Sequence, residues 1–519
     1  MFPKRLAIAS AAGLLLALVA CAGALDEQMA HAAPPNASWP PVWQAPPAWP
    51  QDDIGPPAFE APRANHCHRL PTLREVPGRD VEQGASSWRR GRGELDGSAR
   101  ELRMDAAPSL SKSEAMRSAP AGATPRSPVI SADSAAPLAS AKAPPPPHAE
   151  MSIAPWPQPQ PQPQPEPQRP AHETVTAGMV DDNADFGEYL AYRQRHAGLP
   201  VRERDISERY LLEVTDANGR PVHDAEVAVQ RPGVAQPVMW ARTDTAGRVW
   251  LHPRAFLGSS FSDERTLGVA VRKGGLQSRA ALQRGQANAV QVQLGGTAAA
   301  QRPRLDLVFL VDATGSMGDE IAKLKSSMRA VAQQISQLPG QPDICYGLVA
   351  YRDRGDVFLT RAHDFTDDLG AFQQALARVQ AEGGGDTPEA LNEALHETVH
   401  RLDWRVDAAR MVVLVADAPP HLDYGGPQYD RDMQAALAKG IKLFAVGASG
   451  LDPVGEYIYR QMAQYTAGRF VFLTYKDGAD PASGPGTQTG HDVGQYSVQT
   501  LDKLIVRLVG DEMAKLARS

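Results

Sequence analysis

Apolar and polar positions follow two different periods in the C-terminal two-thirds of the chain, and the first period indicates β-structure. Between residues 208 and 295, short runs of alternating character are separated by turn sequences such as Asp216-Ala217-Asn218-Gly219. Short alternating strands with turns between them predict a small all-β sandwich over residues 208–296. Because no constellation of catalytic side chains lies within it, we expect this region to be a spacer.

The second pattern, over residues 303–475, alternates apolar strands with helices. The run from Met411 to Ala416 is apolar throughout, whereas Ile321, Leu324 and Met328 recur at helical spacing. Strands that alternate with helices predict an α/β fold with a doubly wound, mostly parallel sheet. A Gly-rich loop and a last amphipathic helix follow within residues 476–519, and we expect this helix to pack against the α/β domain.

The N-terminal third has no sustained apolar period. Pro, Ala, Ser, Gln and Arg dominate residues 22–175, and 30 of the 45 prolines of the chain lie in its first third. Such a composition buries too little apolar surface to offset ordering entropy, which predicts a long disordered, Pro-rich linker. Residues 176–207 follow as a short helical lead-in, because Phe186, Tyr189 and Leu190 fall at helical spacing.

The first residues have the features of an export signal. Lys4 and Arg5 precede an apolar stretch, Leu6 to Ala20, that is too short for a comfortable membrane span. The stretch ends in Leu18-Val19-Ala20-Cys21, which resembles a bacterial lipobox. This resemblance implies that residues 1–21 are a lipoprotein signal peptide and that Cys21 is lipidated.

The lipobox also implies a location. The protein would be exported and held at the bacterial cell envelope by its lipid alone, since no later segment is apolar enough to span a bilayer. In diderm bacteria the residue after the lipidated cysteine influences sorting, and Ala22 favours the outer membrane. A plain secretory signal with an incidental cysteine is the alternative.

The other two cysteines do not suggest a disulfide framework. Cys345 lies in the apolar run Ile344–Ala350, where a small core residue is expected. Cys67 lies between His66 and His68, and these three residues alone support a metal site only weakly. The formal net charge of −7 and a pI near 6.0 give no electrostatic footprint for nucleic acid, so no nucleic-acid partner is predicted.

Candidate chemistry is concentrated after the first strand of the α/β region. Asp312-Ala313-Thr314-Gly315-Ser316 follows the run Leu305–Val311, which is apolar except for Asp306, and opens a helix. A carboxylate and two hydroxyls at positions i, i+2 and i+4 of one tight turn can converge on a single hard cation.

Two later loops supply matching groups. Thr387 lies in Gly383-Gly384-Gly385-Asp386-Thr387-Pro388-Glu389, which leads into a helix, and Asp417 ends the strand Met411–Ala416. Open α/β sheets bind ligands at the carboxyl ends of their strands, so the three loops should meet there. Oxygen ligands without Cys or His favour Mg²⁺ over zinc or copper.

Together, these residues resemble the metal-ion-dependent adhesion site of a von Willebrand factor A domain. The resemblance covers residues 303–475 and implies that Asp312, Thr314, Ser316, Thr387 and Asp417 hold Mg²⁺, with Mn²⁺ as an alternative. It also implies a protein partner that presents a Glu or Asp carboxylate to the metal. Thr314 replaces the commoner first serine and keeps the hydroxyl. The turns of the preceding sandwich resemble carboxypeptidase regulatory-like or transthyretin-like modules.

The loop Tyr351-Arg352-Asp353-Arg354-Gly355-Asp356 ends the second strand at the same edge as Asp312. Asp353 and Asp356 are therefore expected at the rim of the site, where either could make the electrostatic potential near the ion more negative. The triplet Arg354-Gly355-Asp356 is one that integrins bind in other contexts, which is a second interpretation of this loop.

Rival chemistries fit less well. Asp312-Ala313-Thr314-Gly315-Ser316 is somewhat similar to the phosphorylation motif of P-type ATPases, but Ala313 replaces that motif's lysine and the membrane spans are missing. A phosphatase of the haloacid dehalogenase type would have an aspartate at position 314. We therefore expect a tethered, non-enzymatic, Mg²⁺-dependent binding protein. An envelope assembly scaffold with a degenerate metal site and a Mg²⁺-dependent hydrolase are the alternatives.

Overall fold

The computed structural model describes residues 61–78, 174–257, 264–286, 289–297, 302–385, 387–478 and 480–516. The predicted signal peptide, Cys21 and most of the Pro-rich linker lie outside these residues. No helix in this part of the chain combines the length and the apolar character that a membrane crossing requires.

The strands and helices, in chain order, have the following bounds. The strands are β1 (Leu73–Val76), β2 (Thr176–Val180), β3 (Tyr210–Thr215), β4 (Glu226–Gln230), β5 (Pro237–Arg242), β6 (Arg248–Leu251), β7 (Thr266–Lys273), β8 (Leu276–Gln283), β9 (Val290–Gln293), β10 (Arg304–Asp312), β11 (Asp343–Tyr351), β12 (Thr360–Thr366), β13 (Ala408–Ala416), β14 (Ile441–Gly447), β15 (Arg469–Asp477), β16 (Asp480–Pro485) and β17 (Gln499–Thr500). The helices are α1 (Phe186–Arg195), α2 (Pro253–Leu257), α3 (Gly318–Ile335), α4 (Leu369–Ala377), α5 (Leu391–Arg401), α6 (Tyr429–Lys439), α7 (Pro453–Tyr465) and α8 (Leu501–Leu516).

A ten-stranded sheet forms the centre of the α/β region, with strand order β1-β12-β11-β10-β13-β14-β15-β2-β17 and β16 paired to β15. The five strands β11, β10, β13, β14 and β15 run parallel to one another, and β12 is antiparallel to β11. The predicted doubly wound, mostly parallel α/β sheet is confirmed.

Helices cover both faces of this sheet, and its central strands β10, β13 and β14 are buried along almost their whole length. Along β10, Leu307 and Phe309 pack on the face covered by α3, α4 and α8, whereas Val308 and Leu310 pack on the face covered by α5, α6 and α7. With both faces covered, the only open part of the parallel strands is their ends. The carboxyl ends carry the candidate site.

The region before β10 forms two small sheets, β6-β3-β9 and β5-β4-β7-β8. Their apolar residues belong to the same buried cluster as α5, α6 and α7, so this region is packed against the α/β region. Arg410 of β13 also reaches both carboxylate oxygens of Asp224, at 2.9 and 3.0 Å. Burial alone would raise the pKa of Asp224, but Arg410 and Arg242 hold it well below its usual range.

The prediction of disorder for residues 22–175 is wrong for residues 61–78, which we call the strap. Its strand β1 pairs antiparallel with β12 and extends the sheet. Cys67 forms a disulfide with Cys345, 278 positions away, with a Cα–Cα distance of 6.1 Å. Long-range pairing and a covalent bond hold the strap in place, so it is ordered although its sequence has no apolar period.

Three further sequence predictions need correction. Cys345 is buried as expected, but it is bonded to Cys67 and is not a free core thiol. The lead-in 176–207 contains the expected helix α1, yet it begins with β2, which joins the central sheet beside β15. The Gly-rich segment after 475 contains β16, and the central sheet extends beyond residues 303–475 at both ends.

Candidate metal centre

The first loop of the site begins where β10 ends. Asp312 is fully buried, and its Oδ1 accepts hydrogen bonds from the backbone N–H of Thr314 at 2.9 Å and from the Thr314 hydroxyl at 2.7 Å. The Thr314 and Ser316 hydroxyl oxygens lie 3.1 Å apart. A short 3₁₀ turn, Gly315–Met317, then leads into α3. The loop therefore gathers one carboxylate and two hydroxyls.

Backbone hydrogen bonds attach the second loop to the first. The Gly315 N–H donates to the Gly383 carbonyl at 2.9 Å, and the Glu382 N–H donates to the Ala313 carbonyl at 3.0 Å. Gly384 has a φ of +67°, and a β-carbon there would lie 2.8 Å from Oε1 of Glu389. Positive φ and lack of space both require glycine at this position. The run of glycines thus allows the loops to approach closely.

The third loop follows β13 and brings Asp417 to the same edge. The Glu389 N–H donates to the Pro419 carbonyl at 3.0 Å, which joins the second and third loops. Asp417 is buried, and a hydrogen bond from the Ser316 hydroxyl offsets part of the rise in its pKa that burial causes. Asp417 is thereby linked to the same cluster as Asp312.

The cluster is electrostatically unfavourable by itself. Burial, and then the neighbouring Asp417, raise the pKa of Asp312 to about 7. Burial, and then Asp312 and other carboxylates, raise the pKa of Glu389 to about 9. Oδ2 of Asp312, Oδ1 of Asp417 and Oε2 of Glu389 are buried without a hydrogen-bond partner. Buried carboxylate oxygens without a donor are suited to a cation, so these residues fit a metal ion.

Four of the five predicted ligands meet at one point, namely Asp312, Thr314, Ser316 and Asp417. Thr387 lies on the adjoining second loop with its side chain exposed, and within the described residues no hydrogen bond joins it to the other four. Glu389, in the same loop as Thr387, was not among the predicted ligands. The signal was its position: a carboxylate two residues after Thr387 and at the start of a helix.

The rim aspartates have partners of their own. Oδ1 of Asp353 lies 2.8 Å from Nε2 of His421. Oδ2 of Asp356 accepts from the backbone N–H of Asp353 at 3.0 Å and from that of Gly384 at 2.8 Å. Asp356 therefore holds the glycine loop in place, and Oδ2 of its carboxylate already accepts two hydrogen bonds.

Arg354, the first residue of the Arg-Gly-Asp triplet, is also engaged internally. Its guanidinium lies 3.1 Å from the ring centroid of Tyr424, and its Nη2 donates to Oε1 of Glu393 at 3.1 Å. Since both charged side chains of the triplet have internal partners, the geometry favours a rim role for this loop over integrin recognition.

The fold and the loop geometry agree with a comparison to known families. Residues 306–478 match the family model of the von Willebrand factor type A domain. This region of the chain is a von Willebrand factor type A domain. The match begins within β10 and ends just after β15, so it spans all three loops of the site.

Three known proteins each match part of this chain. Alpha-protein kinase vwkA of Dictyostelium discoideum is 31% identical over 119 residues, 22% of this chain and 19% of the kinase. Putative ariadne-like RING finger protein R811 of Acanthamoeba polyphaga mimivirus is 34% identical over 117 residues, 22% of this chain and 11% of that protein. The rat von Willebrand factor A domain-containing protein 7 is 39% identical over 95 residues, 18% of this chain and 10% of its own length. This chain thus matches less than a fifth of each relative.

Two solved structures are also similar. The conserved hypothetical protein BatB from Bacteroides thetaiotaomicron has 14% identity and a TM-score of 0.29, with 41% of this chain and 100% of that chain covered. The SpRpn10 VWA domain has 13% identity and a TM-score of 0.26, with 33% of this chain and 87% of that chain covered.

Proposed function

We propose that the von Willebrand factor A domain binds Mg²⁺ and uses the ion to bind a partner protein. Asp312, Thr314, Ser316 and Asp417 would hold the ion, with Thr387 reaching it from the second loop directly or through water. The observation that carries the proposal is the pair of buried oxygens without partners, Oδ2 of Asp312 and Oδ1 of Asp417. A ligand set made only of carboxylates and hydroxyls favours Mg²⁺, or Mn²⁺ as an alternative.

The chemistry of the partner follows from the ligand set. Hydroxyls are neutral, so the protein supplies few negative ligands and leaves the bound ion electron-poor. Mg²⁺ commonly keeps coordination positions for ligands from outside the protein. A Glu or Asp carboxylate of a partner protein would satisfy such a position best, because a negative oxygen gains most at an electron-poor cation. We therefore propose binding and not catalysis as the function of the domain.

We further propose that the protein is exported and held at the bacterial envelope through Cys21, with the outer membrane favoured by Ala22. The Cys67–Cys345 disulfide supports export, since disulfides persist in oxidising compartments. Labelling of cells with a palmitate analogue should mark the wild type, and Cys21→Ser should abolish the label. An unlabelled wild type would reduce the segment to a plain secretion signal.

Calorimetric titration of the full chain with Mg²⁺ tests the metal site directly. The wild type should bind one Mg²⁺ per chain, and Asp312→Ala should abolish binding because a single carboxylate, Asp417, and neutral hydroxyls would have to compete with water for the ion. Asp423→Ala is the matched control, since Asp423 lies in the loop after β13 with its side chain 83% exposed. It should bind Mg²⁺ like the wild type.

Partner binding is then tested in pull-downs from envelope extract with and without EDTA. Proteins retained by the wild type in Mg²⁺ should be lost in EDTA and on Asp312→Ala. If the wild type binds neither Mg²⁺ nor Mn²⁺ at millimolar concentration with partner present, the proposal is wrong, and an envelope scaffold with a degenerate site takes its place.

A further inference from the structure

Two histidines and an aspartate meet on the outer side of the α/β region, where α5 packs against α6. His396 and His400 are four positions apart on α5 and therefore lie on the same helical face. Nδ1 of His396 lies 3.2 Å from Oδ1 of Asp432, and Nε2 of His400 lies 3.0 Å from the same oxygen. The two imidazole rings face each other, with 4.4 Å between their centroids.

We propose that His396, His400 and Asp432 form a second metal site, which binds a zinc-class transition-metal cation. One ligand atom from each residue lies within 4.8 Å of the other two. Ligands on a tetrahedral zinc at 2.0–2.1 Å are about 3.3 Å apart. The observed His–Asp separations are close to that value, so a cation could enter with small side-chain movements.

The ligand types separate this site from the loop site. Imidazole nitrogens with one carboxylate suit zinc and its neighbours, whereas Mg²⁺ prefers oxygen alone. The two histidines come from one helix and the aspartate from the next, so a bound cation would join α5 to α6. Such a cross-link is independent of the Mg²⁺-binding function proposed above.

The surroundings leave room for a further ligand. The Asp432 side chain is 6% exposed, whereas the side chains of His396 and His400 are 24% and 22% exposed. The carboxylate is therefore fixed beneath the two imidazoles, and the open side of the cluster faces solvent. Three protein ligands with an open position are typical of zinc sites that keep a water or accept an outside group.

The helix pair is already organised at its other end. The Asn392 side-chain amide donates to the His421 carbonyl at 2.5 Å, and its Oδ1 accepts from the Tyr429 N–H at 2.8 Å. Asn392 thus connects the start of α5 to the start of α6 and to the third loop of the Mg²⁺ site. A cation farther along α5 would stiffen the same helix pair.

Zinc titration of the tag-free, metal-stripped full chain tests the proposal, with millimolar Mg²⁺ present to occupy the loop site. The wild type should bind one Zn²⁺ per chain and unfold at a higher temperature when Zn²⁺ is present. His400→Gln should weaken Zn²⁺ binding by about 10-fold to 100-fold, and Asp432→Asn should do the same. Co²⁺ in place of Zn²⁺ should give the intense visible absorption of a four-coordinate ion, and His400→Gln should remove it.

Matched variants distinguish this site from other sources of zinc binding. His66→Gln together with His68→Gln removes another neighbouring pair of histidines and should leave Zn²⁺ affinity unchanged. Asp312→Ala should also leave it unchanged, which separates failure here from failure of the Mg²⁺ proposal. Circular dichroism of His400→Gln should match the wild type. Zinc binding that is absent, or that follows His66 and His68 in place of His400, would overturn the proposal.

Discussion

The loop site and the α5–α6 site each contain a buried aspartate, but the neighbours of the two aspartates differ in charge. Asp312 faces Asp417, and burial together with that carboxylate raises its pKa to about 7. Burial would also raise the pKa of Asp432, but hydrogen bonds from His396 and His400 hold it below its ordinary value. The pKa values of these two buried aspartates therefore shift in opposite directions, and the neighbouring side chains determine the direction.

This difference bears on what a cation would do at each site. At the loop site, three buried carboxylate oxygens accept no hydrogen bond, so an ion would relieve repulsion that the folded loops maintain. At the α5–α6 site, both imidazoles already interact with Asp432, so an ion would replace existing hydrogen bonds. We expect the metal-free protein to be strained at the first site and stable at the second.

The largest expected effect concerns the strap, because it contacts the supports of both sites. The Gly355 N–H donates to the Gly78 carbonyl at 2.8 Å beside the rim aspartates, and Arg74 pairs with Glu397 of α5 at 2.9 Å. Cys67→Ser should lower the free energy of unfolding by about 3–4 kcal/mol in urea titrations. Affinities for Mg²⁺ and Zn²⁺ should both fall.

The control for the stability effect is dithiothreitol, which should lower the free energy of unfolding of the wild type by a similar amount and change nothing further in Cys67→Ser; the metal titrations are done without it, because its thiols bind Zn²⁺. If only one metal affinity falls, the strap supports only one of the two sites.

The next largest effect is expected at Asp432. Asp432→Ala leaves two imidazoles without their common acceptor, and hydrogen bonds to a charged group contribute about 1.5–3 kcal/mol. The variant should therefore lose about 3 kcal/mol of stability in EDTA, measured by urea unfolding. Exposed Asp423→Ala is the control and should change stability little. An Asp432→Ala variant as stable as the wild type would show that these hydrogen bonds contribute nothing.

Asp312→Asn should act in the opposite direction. In EDTA near neutral pH it removes a buried charge that faces Asp417, so the variant should be more stable than the wild type by on the order of 2 kcal/mol. Added Mg²⁺ should stabilise the wild type and leave the variant unchanged. Thermal unfolding in the two buffers measures both effects. A variant that is destabilised in EDTA would mean that Asp312 has a favourable partner without metal.

The central sheet could be predicted from the sequence because the hydrophobic pattern of each central strand matches the structure that the strand adopts. β10 and β13 are apolar on both faces, and Asp312 and Asp417 follow them at the position where parallel strands end together. Two aspartates could thus be placed at one edge without any coordinates. Thr314 and Ser316 could be predicted as further ligands because their spacing places them on one turn with Asp312.

What could not be predicted depends on contacts between distant parts of the chain. β1 alternates between half-buried and exposed residues, and only its pairing with β12 and the Cys67–Cys345 bond make it a strand. The α5–α6 site could not be predicted from the sequence for the same reason. His396 and His400 are visible as a helical pair, but nothing in the sequence indicates that Asp432, 32 positions after His400, packs against them.

The smallest effect is a pH dependence of stability that should differ between the two aspartates. In the metal-free folded protein the pKa of Asp312 is about 7, above its ordinary value of 3.8. The folded form therefore keeps a proton that the unfolded chain has released, and this contribution is complete below about pH 4 and is lost as pH rises through about 7. Because the folded pKa of Asp432 is lowered, its contribution is present above its ordinary value of 3.8 and is lost only under more acidic conditions.

Urea unfolding in EDTA at a series of pH values from about 5 to about 9 should separate the two behaviours. The difference between the wild type and Asp312→Asn should grow with pH up to about 7, by at most about 1.4 kcal/mol per pH unit, and level off above it. The Asp432 carboxylate stays ionised over the same range, so its own titration should add no such growth to the difference between the wild type and Asp432→Asn. Saturating Mg²⁺ should flatten the first curve, because the ion favours the ionised carboxylate at every pH tested. Two curves with the same slope in EDTA would mean that the charge of the neighbouring groups does not distinguish the two sites.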